Sequence, residues 1–376
     1  MTQKTTGAAL SYTRHDRPSH CTCNISSRNK RPVFVVGCPR SGTTLLHHML
    51  LSAGNFAVYR TETQVFSTLA PRFGNLNVAR NRDNLVEHWL RSDMFTLSGL
   101  NAGFVRERVK NACHNAGDFL RIVMEGMARQ QRVDRWVDDT PEHLLHILEI
   151  KKCITDALVI HIIRDGRDVA LSLAKQGWIR PLPWDQGITR TLVAALHWEW
   201  MVGKGRKAGR SIGRDYLEVR YEDLIQIPQA TLNRIGSFID HTLDYEQIQQ
   251  VGIGSVKHPN TSFAGSTNGF IGRWKQQLSA EQAARLELMI GGFLQDLGYE
   301  ISPGRETPDL QVRTVRALYH FYFSFRHWLK IRTPLSRYLV ALDILRPGAV
   351  INHSRSLSWP GADTSQERQL GRGEQH

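Results

Sequence analysis

Val33-Phe34-Val35-Val36-Gly37-Cys38-Pro39-Arg40-Ser41-Gly42-Thr43-Thr44-Leu45-Leu46 is the stretch on which the fold turns. Its first four residues are an unbroken apolar, largely β-branched run, the pattern of a strand buried on both faces of a parallel sheet. Gly and Pro then punctuate the chain, and Thr43 to Leu51 reads as a helix closing near Gly54. A strand, a glycine-bearing loop and a helix in that order aim backbone N–H groups and a helix N-terminus at an anion. The spacing nearly matches the nucleotide-binding pattern G-x-x-x-x-G-K-[ST]. Thr43 stands at the lysine position, however, and the positive charge lies inside the loop, at Arg40. Phosphate binding is expected; NTP hydrolysis, which needs the lysine, is disfavoured.

Further strands follow from similar runs. Arg135 to Asp138 reads as a short strand, residues 157–163 as a second buried one, and Tyr216 to Arg220 as a third. Residues 80–130 read as mostly helical, Glu142 to Lys152 as a helix after Pro141, and Asp168 to Lys175 as another. Strands alternating with helices predict an α/β fold, a P-loop-like parallel sheet flanked by helices. One domain over 32–300 is expected, with a helical C-terminal extension over 301–346. Residues 1–31 read as a disordered basic arm and 347–376 as a disordered tail.

Composition narrows the class. With 41% apolar and 22% charged residues the chain is globular, which excludes collagen, a coiled coil and full disorder. No uncharged apolar run approaches the roughly 20 residues of a membrane helix, and the N-terminus has no apolar signal core. Five cysteines in 376 residues do not make a disulfide scaffold. Cys21 and Cys23 lack a second ligand pair for a metal, since only His15 and His20 stand near them. A cytoplasmic protein is expected. The net charge of +13 sits mainly in the ends: residues 1–31 hold six Lys/Arg against one acid, and 301–376 hold eleven against six. A nucleic-acid partner would call for a basic stripe on the folded body, so none is expected. Within 311–332, Arg313, His320 and His327 recur every seven residues among aromatics. That pattern is a basic amphipathic helix, with peripheral membrane contact as one use.

The Pro39 to Leu45 loop resembles the 5′-phosphosulfate-binding loop of sulfotransferases that use 3′-phosphoadenosine 5′-phosphosulfate (PAPS). Three more blocks agree, in the family's order. Ile163 to Ser172 is similar to the 3′-phosphate motif, an Arg at a strand end with a Ser eight residues on, here Arg164 and Ser172. Arg220 to Leu224 resembles the corner whose tyrosine, here Tyr221, contacts the nucleotide. Gly272-Arg273-Trp274-Lys275 resembles the segment that closes over the 3′-phosphate end. The resemblance implies sulfuryl transfer from PAPS to a hydroxyl, without a metal. It implies PAPS binding by Arg40, Ser41, Gly42, Thr43, Thr44, Arg164, Ser172, Tyr221, Arg273 and Lys275. Arg40 would carry leaving-group charge.

Tyr59 to Thr63 resembles the Glu-Thr segment of the protein-tyrosine and carbohydrate branch, which makes Glu62 the base candidate; His143 is the alternative. Where that branch has a catalytic lysine, this chain has Asp139. Either another cation substitutes, Arg167 or Lys275, or Asp139 faces the acceptor. Trp178 to Trp184 is a candidate acceptor-lining loop. His161 reads as core, and so do His197, Trp198 and Trp200. The acceptor stays open between a carbohydrate, a lipid or natural product, and a tyrosine. The other readings are a P-loop kinase or NTPase and a non-catalytic membrane-associated protein.

Overall fold

The computed structural model describes residues 28–185, 187–251, 271–303, 307–333 and 335. Five strands form one sheet: β1 (Val33–Val36), β2 (Phe56–Ala57), β3 (Arg135–Asp138), β4 (Leu158–Ile163) and β5 (Tyr216–Arg220). Their order is β2-β3-β1-β4-β5, and every pairing is parallel. The helices that matter for the site are α1 (Thr43–Ser52), α2 (Ala116–Gln131), α3 (Gly166–Gln176), α4 (Arg190–Ser211), α5 (Ala280–Asp296) and α6 (Leu310–Arg332).

Alternation along the buried strands divides the core in two. Phe34, Val36 and Val159 face one side, where they join the apolar faces of α2, α3 and α4. Val33, Val35, Leu158, Ile160 and Ile162 face the other, against α1 and the helix at Pro228–Ile239. Both faces are thus covered, as an all-parallel sheet requires. Local signals fix the helix starts. An Asn115–Asp118 capping box opens α2, the Asp165 side chain caps α3, Thr189 caps α4 and a Ser279–Gln282 box opens α5.

The expected fold class is the observed one, with four adjustments. The described residues begin at Arg28, and Arg28 to Arg31, within the arm expected to be disordered, are fastened to the body. Arg28 donates to the Phe238 carbonyl, Arg31 pairs with Asp215 at 2.9 Å, and Arg135 donates to the carbonyls of both. The rest of the arm, the cysteines Cys21 and Cys23 included, and the tail after 347 lie outside the described residues. The two-residue β2 was not foreseen. The helix expected over 142–152 is a 3₁₀ turn at Pro141–His146 followed by a helix at Ile147–Cys153. Asp138 accepts from His143 Nδ1 at 2.8 Å and His143 N donates to Thr140 O at 3.1 Å, which tightens that first turn. Finally, α6 is no outlying extension. Its Trp200–Ser324 hydrogen bond (2.9 Å), its Arg316–Glu199 ion pair (2.6 Å) and buried Tyr319 and Phe323 fasten it to α4 and the core.

Gly166, the first residue of α3, sits directly on fully buried Trp198 of α4. A Cβ there would stand 2.5 Å from the indole. Gly166→Ala should therefore destabilise the protein by about 1–3 kcal/mol, the ordinary cost of overpacking, read by urea denaturation. An unchanged midpoint would mean that Trp198 moves aside freely and that α3 is not held by this contact.

Candidate active site

A cavity of about 570 Å³ opens at the carboxyl edge of the sheet, where ligands of open α/β sheets bind. Its floor is the β1–α1 loop. Arg40 has φ of +75°, a conformation that costs a non-glycine residue about 1–3 kcal/mol and concentrates at functional sites. Two contacts hold it. Arg40 Nε donates to Ser172 Oγ at 3.0 Å, and Arg164 Nη1 donates to the Arg40 carbonyl at 3.4 Å. Gly42 has φ of +101°, and a Cβ there would lie 2.4 Å from the Tyr221 ring, so only glycine fits. The Tyr221 ring also carries the Arg164 guanidinium, 4.5 Å from its centre.

These residues fit an anion. Arg40, Arg164 and Arg273 all line the cavity. Burial, and then the charges of Arg164 and Arg273, push the Arg40 guanidinium below its ordinary range. Ser41 is fully buried and its hydroxyl has no hydrogen-bond partner among the described residues. Thr43 and Thr44, at the start of α1, complete the wall. Ser41 is absent from the lining, so the groups that face the cavity are the three guanidinium groups and the threonines at a helix N-terminus, a set that fits an anion such as phosphate.

Asp168 holds the far side of this wall in place, a role the sequence reading did not assign. It accepts from Gly272 N at 2.8 Å and Trp274 N at 2.9 Å, and it lies 3.6 Å from Arg164 Nη2. One carboxylate thus fixes both Arg164 and the turn that carries Arg273. Its position four residues after Arg164 was the available signal. Lys275 stands outside the lining, exposed, with its ammonium 5.7 Å from the Trp274 ring centre. Arg167 does not supply the missing cation. It is buried, paired with Asp165 at 2.8 Å and Glu287 at 2.6 Å, and stacked 3.9 Å from the Trp274 ring centre. Asp165 is committed to that pair as well.

Across the cavity stands Glu62. Thr63 donates to Asp138, and Gln64 N donates to Thr140 Oγ1 at 3.2 Å, so the segment is pinned to the end of β3. Burial, then the neighbouring Asp139 carboxylate, pushes the Glu62 carboxyl up to about 8, although Gln64 Nε2 donates to it. Asp139 itself is absent from the lining and lies 3.4 Å from His47 Nδ1. The position expected to hold a cation therefore holds a carboxylate that acts on Glu62. His143 is a structural residue. Its Nδ1 is bonded to Asp138, its Nε2 accepts from Phe66 N at 3.2 Å, and the ring is buried.

Three further elements line the cavity. Trp178 to Pro183 form one of them, while Trp184 is exposed. His197 and Trp200 also line it; Trp200 and Trp198 are buried in the core as expected, and half-buried His197 is the one of the three that is not. His161 is core too, bonded to the Tyr216 hydroxyl at 2.6 Å. The third element is α6, through Tyr322, Phe323, Arg326, His327 and Lys330. Lys330 lies 3.6 Å from Glu142 and is the main cause of that carboxyl's depressed pKa. Among the described residues no group of three or more His, Cys, Asp or Glu is placed to hold a metal ion.

The chain resembles known proteins in sequence and in fold. The sequence model of the sulfotransferase family matches residues 32–245, more than half of the chain. Protein-tyrosine sulfotransferase A of Caenorhabditis elegans is 24% identical over 315 residues, covering 79% of this chain and 76% of that protein. The sulfotransferase domain of the Synechococcus olefin synthase superposes with a TM-score of 0.51 at 20% identity, covering 77% of this chain and 100% of the domain.

The arginine cluster can be probed with a simple anion. Millimolar pyrophosphate should raise the thermal midpoint above that in chloride of equal ionic strength, because it binds only the folded state. Arg40→Ala should lose most of that gain. Equal midpoints in the two salts would mean that the three guanidinium groups do not form one site.

Proposed function

The chain belongs to the sulfotransferase family, and we propose that it transfers a sulfuryl group from PAPS to a hydroxyl by in-line displacement. The observation that carries this reading is the convergence of Arg40, Arg164 and Arg273 on one wall of a cavity whose other wall presents Glu62. PAPS supplies the sulfuryl group and departs as the 3′,5′-bisphosphate. The Ser41 to Thr44 segment holds the 5′ end, through loop amides, hydroxyls and the N-terminus of α1. Arg164, Ser172 and Arg273 hold the 3′-phosphate, and Tyr221 supports both Arg164 and the nucleotide. Arg40, fixed inside the loop, offsets charge as it builds on the leaving oxygen.

Glu62 takes the proton of the acceptor hydroxyl. A carboxyl with its pKa near neutrality keeps proton affinity while remaining partly ionised, the compromise a general base needs. The acceptor packs its body against Trp178, Trp200 and Phe323, which suits an aromatic or amphiphilic alcohol. The likeness to a protein-tyrosine sulfotransferase makes a phenolic hydroxyl the first one to try.

The test is PAP release from PAPS in the presence of phenols, a tyrosine peptide, sugars and long-chain alcohols. A base works ionised, and ionisation of Glu62 falls tenfold per pH unit below its pKa. The log of kcat/KM should therefore climb with pH and level off above about 8. Asp139→Asn, which removes a like charge beside Glu62, should move the bend to lower pH. Glu62→Gln should lower kcat by about 10²–10⁴-fold with the KM for PAPS little changed. Full kcat in that variant would remove Glu62 from the chemistry and leave His197 or His327 as the base. No PAP release with any acceptor, or turnover of ATP instead, would contradict the proposal.

A further inference from the structure

Helix α6 has two faces with different work. The inner one is fixed: Tyr319 OH accepts from Leu182 N at 3.1 Å, Arg316 pairs with Glu199, and Phe323 packs on Trp200. The outer one is apolar and uncovered. Phe321, Phe325 and Trp328 lie along it at i, i+4 and i+7, exposed by 67%, 46% and 51%. Their rings stack on one another, with centroids 5.9 and 6.0 Å apart and planes within 9° and 19°. Leu318 and Leu310 extend the same stripe. Scattered exposed apolar residues need no explanation, but a continuous aromatic stripe does.

From Leu310 to Arg332 the helix carries five cations and no Asp or Glu. Arg316 pairs with Glu199 on the inner face and Arg326 and Lys330 line the cavity, which leaves Arg313 and Arg332 beside the stripe. Arg313 and Arg332 are exposed, one near each end of the stripe. A surface with an apolar interior and a negative skin matches this face: aromatic side chains enter the headgroup boundary while arginines remain among the phosphates. At 23 residues the helix is about 34 Å long and would lie in that plane. No helix among the described residues is long and apolar enough to cross a membrane.

We propose that the outer face of α6 docks the protein on an anionic lipid membrane through Phe321, Phe325 and Trp328. This goes beyond the catalytic reading and does not depend on it. Because the inner face of α6 lines the cavity, docking sets that side of the cavity beside the lipid headgroups.

The experiment is co-sedimentation of the full chain with phosphatidylcholine vesicles, with and without phosphatidylserine. A combined Phe321→Ser, Phe325→Ser, Trp328→Ser variant and an Arg313→Glu, Arg332→Glu variant accompany the wild type. Wild type should pellet with the anionic vesicles and stay in solution with the neutral ones. The serine variant should lose about tenfold in bound fraction, with its thermal midpoint unchanged because the three side chains are exposed. The charge-reversed variant should weaken on anionic vesicles. The proposal is overturned if wild type ignores the anionic vesicles. It is equally overturned if the serine variant binds as wild type does, which would assign binding to the basic termini. A wild-type dimer in sedimentation velocity that the serine variant lacks would assign the stripe to a second copy of the chain instead.

Discussion

The parallel register of β1 on β4 is the constraint from which the site follows. Val33 pairs with Leu158 and Val36 with His161, and β4 runs two residues further to Ile163 beside the start of the β1 loop, so the segments that leave the two strands emerge side by side. The β1 loop then carries Arg40 to Ser172, and the β4 corner carries Arg164 back to the Arg40 carbonyl. Gly37 belongs to the same constraint, since a Cβ there would stand 2.7 Å from the Ile162 carbonyl. The strand β5 adds Tyr221 against Gly42 from the other side. A one-residue slip in this register would turn alternate side chains to the opposite face and separate the two loops.

The site sets two unlike electrostatic situations against each other. On one wall three arginines crowd together, held by packing, an arginine–aromatic contact and one carboxylate, Asp168. On the other, Glu62 stands near buried Asp138 and Asp139 and half-exposed Glu142, and desolvation with the Asp139 charge keeps it protonated well above the usual carboxylate range. Burial opposes ionisation of Asp138 also, but His143, the Thr63 hydroxyl and the Thr140 amide hold its carboxyl below the usual range. Carboxylates close in space therefore titrate apart, the arrangement by which one site supplies both a fixed charge and a proton acceptor.

Much of this was legible in the chain. β1 and β4 are continuous apolar runs, and a run of that kind followed by glycine and a helix admits few folds. The loop residues, Arg164 and Ser172 were singled out by resemblance to the family's motifs, and the structure brings Arg40, Arg164 and Ser172 together. What escaped was set by distant contacts. β2 is too short to show a period, and sheet order depends on pairings among residues far apart in sequence. His197 differs from Trp198 only by its angle round α4, which the pattern cannot fix without knowing what packs there. Arg167 looked available for catalysis because its partner Glu287 lies 120 residues away. α6 was expected as a helical extension, but what its inner face packs on is set by α4, far away in sequence.

The central claim is that the arginine wall is a site for a 3′-phosphorylated nucleotide. Thermal unfolding with PAP, ATP and AMP, on wild type and on Arg164→Ala, tests it most directly, since a ligand of the folded state raises the midpoint in proportion to its affinity. The account predicts a larger shift with PAP than with ATP or AMP, lost in Arg164→Ala. A PAP shift no greater than that of AMP, or one that survives the substitution, would contradict it.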